Sequence, residues 1–236
     1  MDISQKLKIQ SLQTNISEQF AQDTLHILNG QAMYEHFSRS QLMGSGHYIP
    51  FNEAMCDNES CADIFSPAFN RLRAAGHRVS LAEYEDVTMK PLTCLLDKQY
   101  RCIVLWFGDD MFCQINLLTV LAYLEQISFQ GTVYYHMVQE LTYDVEETAI
   151  DPNNYQEIYL EVLLDHRLPT AKLMPVMDQG IRLYLEYVQD DNSITAYIRD
   201  NIDQPQDQLL EHLFLLFPQY GLGDLQYIKM IDNVKL

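Results

Sequence analysis

Lysine and arginine are scarce in this chain. Fifteen of them stand against 33 aspartates and glutamates, a formal net charge of −18 over 236 residues. Between Arg101 and Arg167 there is no lysine or arginine, while eleven acidic residues occur. Nucleic-acid binding draws on Lys and Arg to displace counterions from phosphates. Nucleic acid is therefore a disfavoured partner, and so is an anionic membrane surface. Long apolar runs are missing as well. None approaches the roughly 18 residues that span a bilayer, and Met1-Asp2-Ile3-Ser4-Gln5-Lys6 has no apolar signal core. These absences predict a cytoplasmic protein without membrane contact.

Cysteine pairs are absent too. The five cysteines, Cys56, Cys61, Cys94, Cys102 and Cys113, are odd in number and contain no CxxC. That argues against a disulfide framework or a zinc site. There is no GxGxxG, no Walker lysine, no HExxH and no serine in a nucleophile-elbow context, and the seven histidines are scattered. The sequence names no catalytic residue and no cofactor.

What is present is a globular composition, 47% hydrophobic and 20% charged. Residues 1–22 space Ile3, Leu7, Ile9, Leu12, Ile16 and Phe20 as an amphipathic helix. Thr24–Leu28 reads as a strand, Asn29-Gly30 as a turn, Gln31–Gln41 as a helix, and His47–Phe51 as a second strand stopped by Pro50. Helices follow over 59–76, ending at a Gly76 cap, and over 80–98, with Ser80 and Glu83 in capping-box form and a break at Pro91. Arg101–Phe107 is apolar without alternation, the mark of a strand covered on both faces. An apolar helix over 111–127 and a strand over 132–138 come next. Residues 139–153 read as an acidic loop. Helices are predicted near 154–165, 174–189, 193–202, 206–217 and 222–232.

Alternating strands and helices predict an α/β fold: an open, mostly parallel, three-layer, Rossmann-like sheet followed by a smaller helical C-terminal region. The expected division is an N-terminal helix (1–22), an α/β domain (23–150) and a helical C-terminal domain (151–236).

Ligands of open α/β sheets bind outside the carboxyl ends of the strands. Two such ends stand out. At His26-Ile27-Leu28-Asn29-Gly30, backbone N–H groups at a helix start suit an anion; alternatively Asn29-Gly30 only turns the chain and His26 bonds within the sheet. At Trp106-Phe107-Gly108-Asp109-Asp110, a carboxylate caps the next helix, or faces the crevice as a base or hydrogen-bond acceptor. With Glu53, Asp109 and Asp110 are weak candidates for a divalent metal. Gln114 and Arg71 complete the candidate ligand-binding set, with Arg73 as the second arginine to consider.

Four segments carry a family resemblance. His26-Ile27-Leu28-Asn29-Gly30 resembles an H-I-x-x-G-D opening, with Gln31 in place of Asp. Pro50-Phe51-Asn52-Glu53-Ala54 resembles a short strand followed by an acid. Phe65–Arg73 resembles a helix with an aromatic and an arginine. Leu105–Leu118 resembles the signature L-W-F-x-x-D-x-x-x-Q-L-x-L-L, with Cys113 where a second Asp often stands. A later match is Phe217-Pro218-Gln219-Tyr220-Gly221-Leu222, which resembles an F-P-x-x-G-L opening of a final helix. The chain thus resembles the bacterial DUF1835 family, over roughly residues 24–138 and less of the C-terminal part. The resemblance implies the α/β fold and brings no reaction with it.

Two classes of function follow. One is a small-molecule site at the carboxyl edge, for a ligand that includes phosphate-bearing ones. The other is a non-catalytic regulatory or interaction protein that meets a protein partner, or a second copy of itself, through the N-terminal helix and the acidic C-terminal helices. A transcription-related regulator using its terminal helices would have to overcome the charge.

Overall fold

The computed structural model describes residues 3–97, 100–138 and 145–235. Five strands form one sheet: β1 (Thr24–Leu28), β2 (His47–Pro50), β3 (Cys102–Phe107), β4 (Thr132–Val138) and β5 (Val145–Ile150). Their order is β2-β1-β3-β4-β5, with the first four parallel and β5 antiparallel at one edge. All six residues of β3 are buried, as the unbroken apolar run predicts.

β5 corrects the sequence reading. It lies in the stretch expected to be an acidic loop, of which residues 139–144 fall outside the described part. Glu146, Glu147, Thr148 and Ala149 are all exposed. An edge strand needs one neighbour only, and with little of either face covered it shows no alternation.

Helices cover both faces of the sheet. On one face, α1 (Ile3–Phe20) and α2 (Gly30–Arg39) bring Ile9, Ile16 and Phe37 against Leu28, Val104 and Trp106. On the other, α6 (Met111–Gln126, numbered in chain order after the three helices below) packs on Leu25, Ile27, Ile103, Leu105 and Phe107. Thirteen residues of α6 are buried, so it has no polar face. The reason is that C-terminal helices cover its outer side.

Between β2 and β3 come α3 (Pro67–His77), α4 (Leu81–Tyr84) and α5 (Lys90–Asp97). Helix α3 begins later than the predicted 59, because Ser66 caps it and Pro67 occupies its first turn. It ends one residue beyond Gly76, with Arg78 in the left-handed conformation. Gly76 serves close packing instead: a Cβ there would come within 2.6 Å of the Asn58 Cβ. Ser80 caps α4, and α4 and α5 are joined by one π turn, Glu85–Met89. Pro91 cannot donate to the carbonyl four residues back. That group, on Val87, accepts from Asn52 Nδ2 at 3.1 Å.

The C-terminal helices fall close to the predicted spans: α7 (Tyr155–Tyr159), continued by a π turn to Leu164, α8 (Pro175–Tyr187), α9 (Ser193–Asp200), α10 (Gln206–Leu216) and α11 (Asp224–Lys235). Helices α7 and α8 lie against α6, and their apolar residues join the core on that face of the sheet. Among the described residues, no helix is long and apolar enough to cross a membrane.

Candidate functional site

β1 and β3 are neighbours, and the connections leaving them run to opposite sides of the sheet, since β2 lies beyond β1 and β4 beyond β3. Such a reversal opens a crevice at the carboxyl ends. Asn29 sits in it. Its backbone N–H donates to the Trp106 carbonyl at 3.0 Å, continuing the strand pairing by one residue. Its side chain turns to α6: Oδ1 accepts from Asn116 Nδ2 at 2.9 Å, and Nδ2 donates to Cys113 Sγ at 2.8 Å.

Asn116 is the tie point. It is fully buried, donates also to the Glu53 carbonyl at 2.8 Å, and accepts from the Met55 N–H at 2.9 Å. One amide thus joins the end of β1, the segment after β2 and the first turns of α6. No sequence motif announces it. An asparagine in a largely apolar helix is the one signal that could have found it.

Glu53 and Arg73 form an ion pair whose side chains are both fully buried. Arg73 Nε and Nη2 donate to the two carboxylate oxygens at 2.9 and 2.7 Å. The remaining guanidinium hydrogens go to the carbonyls of Ala54, Asp57, Asn58 and Glu59. The chain after β2 is therefore wrapped around one cation. Glu53 also accepts from Tyr84 Oη at 2.8 Å and lies 3.1 Å from His77 Nε2. Burial alone would raise this carboxyl, but the Arg73 hydrogen bonds, then His77, outweigh it and hold Glu53 well below the usual range.

The arginine brought to the site is Arg73, whereas Arg71 is exposed. Phe69, Arg73 and His77 lie at successive i, i+4 positions of α3, on its buried stripe, and Arg71 is turned away from it. His77 and Tyr84, stacked at 6.3 Å, were not read as site residues.

The two acids after β3 separate. Asp110 caps α6, accepting from the Cys113 N–H at 2.8 Å, and burial raises its pKa. The loop before α11 presses on it: a Cβ at Gly221 would come 2.1 Å from Asp110 Oδ1. Asp109 is exposed. Gln114 is buried, donating to the Gly108 carbonyl at 2.6 Å and to Tyr135 Oη at 2.8 Å. Among the described residues, no group of three or more His, Cys, Asp or Glu is placed to hold a metal.

His26 and Trp106 sit away from this edge, within the sheet on the α1–α2 side. Trp106 Nε1 donates to His26 Nδ1 at 3.1 Å, and His26 stacks on Tyr48 at 4.2 Å. Trp106 also meets the His136 ring edge-on at 4.3 Å. Burial drives the His26 pKa down to about 3, with His136 adding to the effect.

A hollow of about 410 Å³ opens over the carboxyl edge, lined by Gly30, Phe51, Glu53, His77, Tyr84 and Phe112 among others. Beside it, α2 starts at Gly30, which has a φ of +81° that glycine adopts freely. Asn29 holds the cap position but makes no side-chain cap bond, its amide being spent on Asn116 and Cys113. The first-turn N–H groups of α2 have no side-chain acceptor at that position. No family model matches this chain, and no curated protein or solved structure matches it either.

Proposed function

We propose that the protein binds a small ligand at the carboxyl edge of its sheet, with an anionic, phosphate-like group at the start of α2 and an apolar body in the hollow. The observation that carries this reading is the hollow itself, which lies at the strand reversal and includes Gly30, the first residue of a helix lacking its side-chain cap. Helix N-termini attract anions through free N–H groups and the helix dipole. Phe51, Phe112, Tyr84, Val79 and Val87 supply apolar walls. Glu53 adds little repulsion, because Arg73 neutralises it. The strand order β2-β1-β3-β4 supports a Rossmann-like classification.

The DUF1835 kinship is proposed alongside. It is supported by the way its segments converge: Asn29, Glu53, Arg73 and Asn116 come from the four quoted stretches and form one bonded cluster. Gly221, from the fifth, rests on Asp110.

Phosphate and adenosine monophosphate, titrated in thermal-shift and amide-NMR experiments, test the ligand reading. Chemical-shift changes at Gly30, Gln31 and Ala32 are expected. Gln31→Asp puts a carboxylate in the first turn, which suits the helix but competes with a bound anion. It should abolish the response without lowering stability. Absence of any shift at α2, or a response unaltered by Gln31→Asp, overturns the proposal.

A second reading, a protein-interaction role, is favoured by one observation. Phe214, Leu215 and Leu216 of α10 and Leu225 of α11 are exposed, Leu215 and Leu225 at 75%. Light scattering of the wild type and of Leu215→Glu tests it. A monomer in both, with no partner recovered by crosslinking, would dismiss it.

A further inference from the structure

A second hollow, of about 700 Å³, lies at the opposite, amino edge of the sheet, where β3 and β4 begin. Its walls come from five elements, among them Phe20 of α1, Leu95 and Leu96 of α5, Ile103 of β3 and Tyr123 of α6, and from the turns that hold Arg101, Ile127 and Phe129. Ligand hollows typically enclose about 300–1,000 Å³, with apolar walls and few polar groups. The turn is rigidly built. The amides of Ile127, Ser128 and Phe129 return to carbonyls of α6, so that helix leaves few free acceptors at its end. A Cβ at Gly131 would meet the Arg101 carbonyl at 2.6 Å.

The charge of the lining is unusual for this chain. Aspartate and glutamate outnumber lysine and arginine by 33 to 15, yet among the described residues the lining contains no acid and one base, Arg101. Arg39, Arg73, Arg167, Arg182 and Arg199 each pair with a carboxylate. Arg101, like Arg71 and Arg78, has no such partner among the described residues, and of these three only Arg101 lines the hollow. Its guanidinium lies over the Phe20 ring, 5.9 Å from the centroid, and its backbone is fixed on both sides, by the Asp23 carbonyl and the Thr132 N–H. The Tyr100 hydroxyl in the wall is buried without an oxygen or nitrogen partner among the described residues, and the Cys94 thiol beside it is a weak acceptor.

We propose that this hollow is a site for an apolar monocarboxylic acid, with its alkyl or aryl body between Phe20, Leu95, Ile103, Tyr123 and Phe129 and its carboxylate on Arg101. The guanidinium fork matches a carboxylate bidentately, and among the described residues no acid in the lining repels one. This site is independent of the carboxyl edge.

Decanoate, below its micelle concentration, is the probe, with decyltrimethylammonium as the opposite-charge control. Calorimetry of the full chain should give one decanoate per chain and little binding of the ammonium compound. Methyl NMR shifts should fall on Leu95, Leu96, Ile103 and Ile127. Arg101→Gln should weaken decanoate by about tenfold or more, the scale of a lost charge-assisted hydrogen bond. Arg101→Glu should reverse the preference between the two probes. Ile127→Trp, at a half-exposed position, should fill the hollow and block decanoate while the melting temperature holds. The proposal fails if both probes bind the wild type alike, if Arg101→Gln leaves decanoate binding unchanged, or if no saturable binding is seen.

Discussion

Two polar clusters are buried, one at the carboxyl edge and one within the sheet on the α1–α2 side, and they solve the problem of burial differently. Glu53 and Arg73 are charged, and every donor and acceptor is engaged. His26, Trp106 and His136 are held neutral, and the set is one bond short: the His136 Nδ1 atom has no partner among the described residues, while its Nε2 meets Glu147 at 2.7 Å. A buried charge is tolerable when its bonds are complete. A neutral imidazole with one unmet lone pair forfeits about 1–3 kcal/mol, less than an unpaired buried charge would cost. The comparison shows where the fold is rigidly specified and where it is sensitive to protons.

The largest expected effect is on the charged cluster. Arg73→Met leaves Glu53 buried without its counter-ion and strips four carbonyls of their donor. A loss of about 3–5 kcal/mol is expected, read as the shift in a urea midpoint. Glu53→Gln/Arg73→Met should recover part of it. If the double variant is no more stable than the single, the cost lies in the carbonyls and not in the charge.

Acid should separate the two clusters next. The folded-state pKa of His26 lies near 3, below the ordinary value of 6.5. The unfolded chain then binds a proton that the folded chain refuses, and stability falls as pH drops from about 6.5 toward 3. The slope approaches roughly 1.4 kcal/mol per pH unit. Glu53 is also depressed, so its contribution is intact above the ordinary carboxylate range and is lost only as pH falls below it. His26→Gln should flatten the upper part of this curve and leave the lower part. An unaltered profile above pH 5 would show that His26 is not the group responsible.

Smaller effects distinguish the two acids after β3. Asp110→Ala removes a helix cap and should cost about 1 kcal/mol, whereas Asp110→Asn keeps the cap and removes a buried charge, and should be neutral or stabilising. Asp109→Ala should stay within about 0.5 kcal/mol, as for an exposed side chain. Thermal unfolding of the three variants checks the order.

Much of this architecture was legible in the sequence. The apolar run of β3 and the apolar span of α6 required cover on both sides, and both have it. Helix ends at Ser66, Ser80 and Asp110 follow ordinary capping chemistry, and the start expected at 59 falls later because Ile64 and Phe65 are buried ahead of the Ser66 cap. β5 was missed because an edge strand with exposed acids has no apolar face to read. The site was legible only in pieces. Glu53 and Asn29 lie at strand ends and could be named. Both Arg71 and Arg73 could be named, but two residues of spacing on a helix reverse the facing, and only the Phe69–Arg73–His77 stripe settles which is buried. The Asn116 junction joins α6 to two chain segments each more than sixty residues before it, and no local pattern encodes such a meeting.

The edges of the sheet carry a further consequence. At one end, β2 is four residues long and closes on Pro50; at the other, β5 presents Glu146 and Glu147. Both devices discourage a second sheet from docking edge to edge. The guard at β5 is electrostatic, so it weakens in the same acid that protonates His26 in the unfolding chain. Self-association into strand-paired aggregates should therefore set in at low pH, where loss of fold and loss of that repulsion coincide.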